Sequence, residues 1–198
     1  MIADMGKRIL IIQGHPDPDP KRYCVALASA YRDGAESAGH EVEQLTVAAL
    51  DFALIRSEED WRESAPTDIV QAQRLIEASD HLVFVYPTWL GTMPALLKAF
   101  LEQVMRPGFA FDESARSGLG ERRLKGKSAR VIVTMGMPGL VYRVFYRAHG
   151  YLYFKRNILS FCGIGPVRHS FVGLAGAEKN SGRERWLERV RGFGRDGV

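Results

Sequence analysis

Three short stretches of the chain carry residue types that bind and activate small molecules. The first, Gly-His-Pro-Asp-Pro-Asp-Pro-Lys-Arg at 14–22, follows the β-rich run Ile-Leu-Ile-Ile-Gln and leads straight into a helical pattern. Free backbone N–H groups and the positive end of the helix dipole would therefore face this loop and attract an anion. Lys21 and Arg22 add positive charge. Asp17 and Asp19 oppose it, since carboxylates repel a phosphate unless they point away. A polar Pro-Asp loop is equally a common turn. The second stretch, 86–94, reads Tyr-Pro-Thr-Trp-Leu-Gly-Thr-Met-Pro. Thr88 can donate a hydrogen bond, Trp89 can wall a flat ring, and Gly91 lets backbone approach closely. A single tryptophan can as readily be a core or interface residue. The third, Gly136 to Tyr142, follows Met135. His15, Asp17, Lys21 and Arg22, then Pro87, Thr88, Trp89, Leu90, Gly91 and Met93, then Met135, Gly136 and Met137 make up the candidate cofactor cradle.

Periodic patterns predict the elements that must bring these stretches together. Residues 7–13 and 81–87 read as buried strands, 129–135 and 165–174 as a fourth and a fifth strand, and 40–47 alternates like another. Helical spacing predicts helices at 21–38, 67–80, 93–105 and 181–193, with 142–162 helical in pieces broken near Gly150. Thr67 reads as the start of the second helix, and Pro94 falls in the first turn of the third. Residues 48–66 read as a long surface connection and 106–128 as a Gly- and Arg-rich loop. Strands that are continuous apolar runs, each followed by a helix, imply an α/β fold with a parallel sheet covered on both faces. Five such strands are commonly wound in the order 2-1-3-4-5, with the ligand beyond the carboxyl ends of strands 1 and 3. That is where the first two stretches fall. No repeat, low-complexity tract or linker interrupts residues 1–198, which read as one domain.

The composition narrows the function classes. Of 198 residues, 27 are Lys or Arg and 23 are Asp or Glu, so the net charge of +4 suits anionic ligands without demanding nucleic acid. The basic residues are spread out, with no nucleic-acid arm. Cys24 and Cys162 lie far apart, which excludes a disulfide framework or zinc site and favours a reducing cytoplasm. Metal ligands are not expected. No run approaches the roughly 18 apolar residues a membrane span needs. A phosphate-loop motif is absent, as is Gly-x-Gly-x-x-Gly after strand 1. A receiver domain would want clustered acids after strand 1 and an aspartate ending strand 3. Gly14-His15 and Tyr86-Pro87 stand there instead.

Residues 68–111 are similar to the NAD(P)H:quinone oxidoreductase family of flavodoxin-like flavoproteins. The likeness rests on Asp-Ile-Val-x-x-Gln at 68–73, Pro-Ala-Leu-Leu-Lys at 94–98 and Gly-Phe-Ala-Phe at 108–111, with Ile-Leu-Ile-Ile-Gln-Gly-His-Pro at 9–16 and Asn157 to Val167 in support. It implies a flavodoxin-like doubly wound sheet and a tightly bound FMN, or alternatively FAD. It further implies two-electron transfer from NAD(P)H to a quinone or similar acceptor, and a homodimer. FMN is favoured because residues 112–128 offer no adenine pocket. The resemblance places His15 near the flavin phosphates and Pro87 to Leu90 along the ring. It places Gly136 at the turn beside the ring, and Tyr142 and His149 at the reactive edge as catalytic proton donors. Backbone N–H groups around Thr88–Leu90 and Gly136 would stabilise negative charge on the ring. The family's phosphate-binding Ser is replaced by Pro20-Lys21-Arg22, and its Gly-Gly turn by Gly136-Met137-Pro138. Residues 141–156 interleave Tyr and Phe with Arg and Lys, as a lid, a dimer contact or a peripheral membrane patch would. The rival reading is a non-enzymatic electron carrier or regulatory flavoprotein subunit.

Overall fold

The computed structural model describes residues 6–112, 121–176 and 180–198. Strands β1 (Arg8–Gln13), β2 (Glu41–Thr46), β3 (His81–Pro87), β4 (Ser128–Thr134) and β5 (Val167–Val172) form one parallel sheet in the order β2-β1-β3-β4-β5. Between them run α1 (Tyr23–Ser37), α2 (Glu58–Arg62), α3 (Thr67–Ala78), α4 (Ala95–Val104), α5 (Gly139–Val144) and α6 (His149–Tyr153), and α7 (Asn180–Arg195) follows β5. The winding reverses between β1 and β3, as the element order predicts. The part of the 106–128 loop at 113–120 lies outside the described residues, so the adenine-pocket reasoning built on 112–128 does too.

Strand side chains alternate between two cores, because successive residues point to opposite faces. Leu10, Ile12, Leu82, Phe84, Tyr86, Val131 and Val133 pack with α3, α4 and Phe154 on one face. Ile9, Ile11, Val83, Val85 and Ile132 pack with α1 and Val190 of α7 on the other. The predicted stripe of α1 is observed: Leu27, Ala30, Tyr31 and Ala35 are buried, and Tyr23 packs at its margin.

Three local readings need correction. Pro66, not a hydroxyl side chain, precedes α3, and Thr67 is its first residue with no side-chain cap. The 48–66 connection is entered through a 3-10 turn at Val47–Ala49 and holds the one-turn helix α2, whose N-terminus is closed by a reciprocal Ser57–Asp60 capping box. The 142–162 segment breaks at Arg147 and Ala148, both at positive φ, rather than at Gly150, and then widens into a π-helical turn at Phe154–Leu159.

Candidate functional site

Pairing of β1 with β3 and of β3 with β4 brings all three loops to one end of the sheet. Gly14 N–H donates to the Val85 carbonyl (2.9 Å), and Thr88 N–H to the Thr134 carbonyl (2.7 Å), so the strand ends are fastened to one another. A Cβ on Gly14 would stand 2.6 Å from Leu97 Cδ2, so the first loop lies directly against α4.

The acids of the first loop shape it rather than face a ligand. Asp17 Oδ1 accepts from Asp19 N–H (2.9 Å), and Asp19 Oδ1 accepts from Lys21 N–H (2.9 Å), two consecutive Asx turns. The second Asp17 oxygen accepts from Arg22 Nε (2.8 Å) and is also paired with Arg22 Nη2. The Asp19 amide and the Arg22 guanidinium hold the Asp17 carboxyl below its ordinary range. The negative charge that would repel a phosphate is thereby paired, at the cost of tying up Arg22. Lys21 is exposed. Arg22 is the N-cap of α1 and gives it no side-chain cap, and no acid stands in the first turn, an arrangement that keeps the helix N-terminus open to an anion. His15 Nδ1 lies 3.0 Å from both the amide N and the carbonyl O of Asp17. Burial foremost, against the opposing backbone bond to Asp17, and then Arg22 lower its pKa, so the ring is neutral at neutral pH.

The second loop is a two-residue turn. Trp89 and Thr92 exchange backbone hydrogen bonds (2.9 and 3.1 Å) across Leu90 (φ 48°) and Gly91 (φ 84°), both left-handed as such a turn demands. It presents Trp89, half exposed, and Leu90, fully exposed, to solvent. Trp89 meets His15 edge to face at 6.2 Å, which joins the first two loops. Thr88 Oγ1 is buried and has no hydrogen-bond partner.

Several predicted site residues are placed differently from expectation. Met93 and Met135 are in the core and support the loops from beneath. The N–H groups of Thr88 and Trp89 are spent on Thr134 and Thr92, whereas those of Gly136 and Met137 have no backbone partner among the described residues. Tyr142 is 1% exposed, its hydroxyl donating to the Gly91 carbonyl (3.2 Å) and accepting from Tyr151 N–H (3.2 Å). The Tyr142 hydroxyl thus anchors the Trp89–Thr92 turn to α6 in this structure. His149 is exposed and opens α6. The next residue, Gly150, abuts the same turn: a Cβ there would fall 2.2 Å from the Gly91 oxygen. Sequence reasoning missed this contact, whose signal was a glycine where the helical pattern faltered.

A groove of about 550 Å³ between α5, β5 and α7 shares Pro138, Gly139 and Leu140 with the third stretch. Among the described residues, no helix is long and apolar enough to cross a membrane.

The family model Flavodoxin_2, described as a flavodoxin-like fold, matches residues 7–192. The ribosyldihydronicotinamide dehydrogenase (quinone) of Pongo abelii is 25% identical, over 94% of this chain and 91% of that protein. An NAD(P)H:quinone oxidoreductase from Methanothermobacter marburgensis superimposes with a TM-score of 0.83, at 22% identity over 98% of this chain and all of that one (100%). An FMN-dependent NADH-azoreductase from Bacillus anthracis, solved in complex with FMN, gives a TM-score of 0.71 at 16% identity, over 95% and 97% of the two chains.

Proposed function

The chain belongs to the Flavodoxin_2 family, and from that premise we propose that it is a flavin-dependent NAD(P)H:quinone reductase. The observation that carries the reading is the orphaned Thr88 hydroxyl at the carboxyl end of β3. Native proteins rarely leave a buried hydroxyl unpaired, and here it lies where a doubly wound sheet takes its ligand. The quinone dehydrogenase relative supports the same reading, and the azoreductase neighbour solved with FMN supports FMN over FAD.

When bound, the flavin supplies two-electron hydride chemistry between NAD(P)H and a quinone-like acceptor. The α1 N-terminus and the neutral His15 hold its phosphate, while the Asp17–Arg22 pair removes the loop's own negative charge from the cradle. Trp89 and Leu90 shield the ring from water. Thr88 and the unspent N–H groups of Gly136 and Met137 offer donors where negative charge develops. Exposed His149 is the proton donor to the acceptor.

Thr88→Val separates this proposal from an empty fold. In flavin-free protein the change removes an unsatisfied buried group and raises stability by about 1 kcal/mol; in flavin-loaded protein it removes a partner and weakens flavin binding about tenfold. Thermal melts with and without FMN read both. A loss in both states sinks the reading, as does the absence of flavin absorbance in purified protein. Quinone-dependent oxidation of NAD(P)H distinguishes the enzyme from a carrier or regulatory subunit.

The proposal extends to a homodimer. Leu140, Val141, Val144, Phe145 and Tyr146 expose an apolar face on and beside α5, next to His149. Contiguous apolar surface of this kind marks an interaction site, and a second copy would cover it while enclosing the acceptor. Light scattering that finds a monomer at micromolar concentration counts against it. The two cysteines, both free and buried, suit a reducing cytoplasm.

A further inference from the structure

We propose that the amino-terminal end of the sheet carries a second binding site, for a small phosphate-type oxyanion, built from His81, Ser128, Lys7 and Arg168. These four residues line one cavity of about 240 Å³ together with Ala129, Pro166 and Val198. His81 opens β3, the strand whose other end leads to Thr88. Seven strand residues at about 3.3 Å each put the two sites roughly 20 Å apart.

His81 is 1% exposed. Its Nδ1 lies 2.7 Å from Ser128 Oγ, and its ring stacks on Tyr31 at 6.4 Å. Its Nε2 is buried without a partner. Burial above all, and then the charges of Lys7, Arg130, Arg168 and His40, push the His81 pKa down to about 3. The ring is therefore neutral. The proposed site takes the tautomer in which the Ser128 hydroxyl donates to Nδ1, which makes Nε2 a buried donor lacking an acceptor.

The charged groups that act on the His81 ring are the cations Lys7, Arg130 and Arg168. Arg130 is occupied by the Val198 oxygen and by Ser170 Oγ (3.0 Å). Lys7 Nζ gives one bond to the Gly197 carbonyl (2.8 Å), an acceptor without net charge. Of the nearby acids, Asp80 is paired with Arg8 (3.8 Å), and Asp196 acts on Tyr31 and Arg130. Lys7 and Arg168 have no ion-pair partner among the described residues. A cavity that joins an unpartnered imidazole nitrogen to two cations without ion-pair partners is complementary to a compact dianion.

The test follows the His81 imidazole nitrogens by NMR as inorganic phosphate is titrated into the protein, with chloride holding ionic strength constant. The expected result is a saturable shift of the His81 Nε2 signal. Arg168→Gln, at an exposed position that leaves the fold alone, should weaken the apparent affinity about tenfold. Glycerol phosphate as a second probe distinguishes sources. Saturation by both probes supports a site for phosphorylated ligands, and saturation by inorganic phosphate alone supports a site for the free ion. No His81 response, a response that never saturates, or equal affinity in Arg168→Gln overturns the proposal. Phosphate entering the flavin cradle would not move the His81 signal, so the two proposals fail separately.

Discussion

Gly150→Ala is expected to cost about 2–3 kcal/mol of stability and to weaken flavin binding by ten- to a hundredfold. The added Cβ would meet the Gly91 oxygen at 2.2 Å and the Thr92 Cα at 2.8 Å. Both are backbone atoms of a turn locked by two hydrogen bonds, so neither can swing aside as a side chain would. Either α6 or the turn must retreat by about an ångström. Retreat of the turn carries Trp89 and Leu90 with it. Retreat of α6 breaks the Tyr142 bridge, whose hydroxyl joins Gly91 O to Tyr151 N–H. Gly91→Ala is the informative comparison: it sits in the same turn with nothing within 4 Å, so its cost is only that of holding alanine at φ 84°, about 1–2 kcal/mol. Melting temperature and the flavin retained after gel filtration measure both variants. Equal losses would mean that turn conformation, and not the close approach of α6, governs the site.

The outcome at Gly150 shows which part of the site can be read along the chain. The sheet order and the convergence of three loops follow from local pattern, because every buried parallel strand is a continuous apolar run and the winding rules leave few arrangements. The open α1 N-terminus follows too, from a polar loop running straight into a helix. What Asp17 and Asp19 do does not follow. Their repulsion of a phosphate is a statement about charge, whereas their Asx turns and the Arg22 pair are statements about geometry. The Tyr142 contacts do not follow either: local pattern places a tyrosine in a helix, and its two hydrogen bonds to the turn and to α6 are long-range geometry. Gly150 looks like a helix breaker by local rules, yet the break falls at Arg147 and Ala148, and the glycine serves close approach.

Two other features had signals that went unread. Ser57-Glu-Glu-Asp60 is a capping box in plain sequence, but the helix it starts buries no residue and so shows no apolar stripe to notice. His81 stands at the mouth of an apolar run, and a polar residue there marks a demand for a partner that local pattern cannot supply.

Gly34→Val is expected to be the most damaging single change at any described glycine away from the site, destabilising the protein by about 3 kcal/mol or more. Gly34 lies on the buried face of α1. A Cβ there would stand 2.0 Å from the Arg191 carbonyl oxygen of α7, and the reciprocal Cβ on Gly194 would stand 2.1 Å from the Tyr31 oxygen of α1. The two helices thus cross backbone to backbone, with each glycine making room for the other chain segment. Valine adds three carbons where one does not fit, and α7 cannot shift without uncovering Ile9, Ile11 and Val83 of the sheet. Because α1 also presents its N-terminus to the candidate flavin phosphate, the loss should reach the site: weakened docking of α7 loosens the helix from behind. Urea unfolding gives the stability change, and FMN titration below the transition gives the effect on the site. A Gly34→Val protein as stable as the parent would mean that α7 does not cover α1 in solution, and the face of the sheet beneath it would then need another partner.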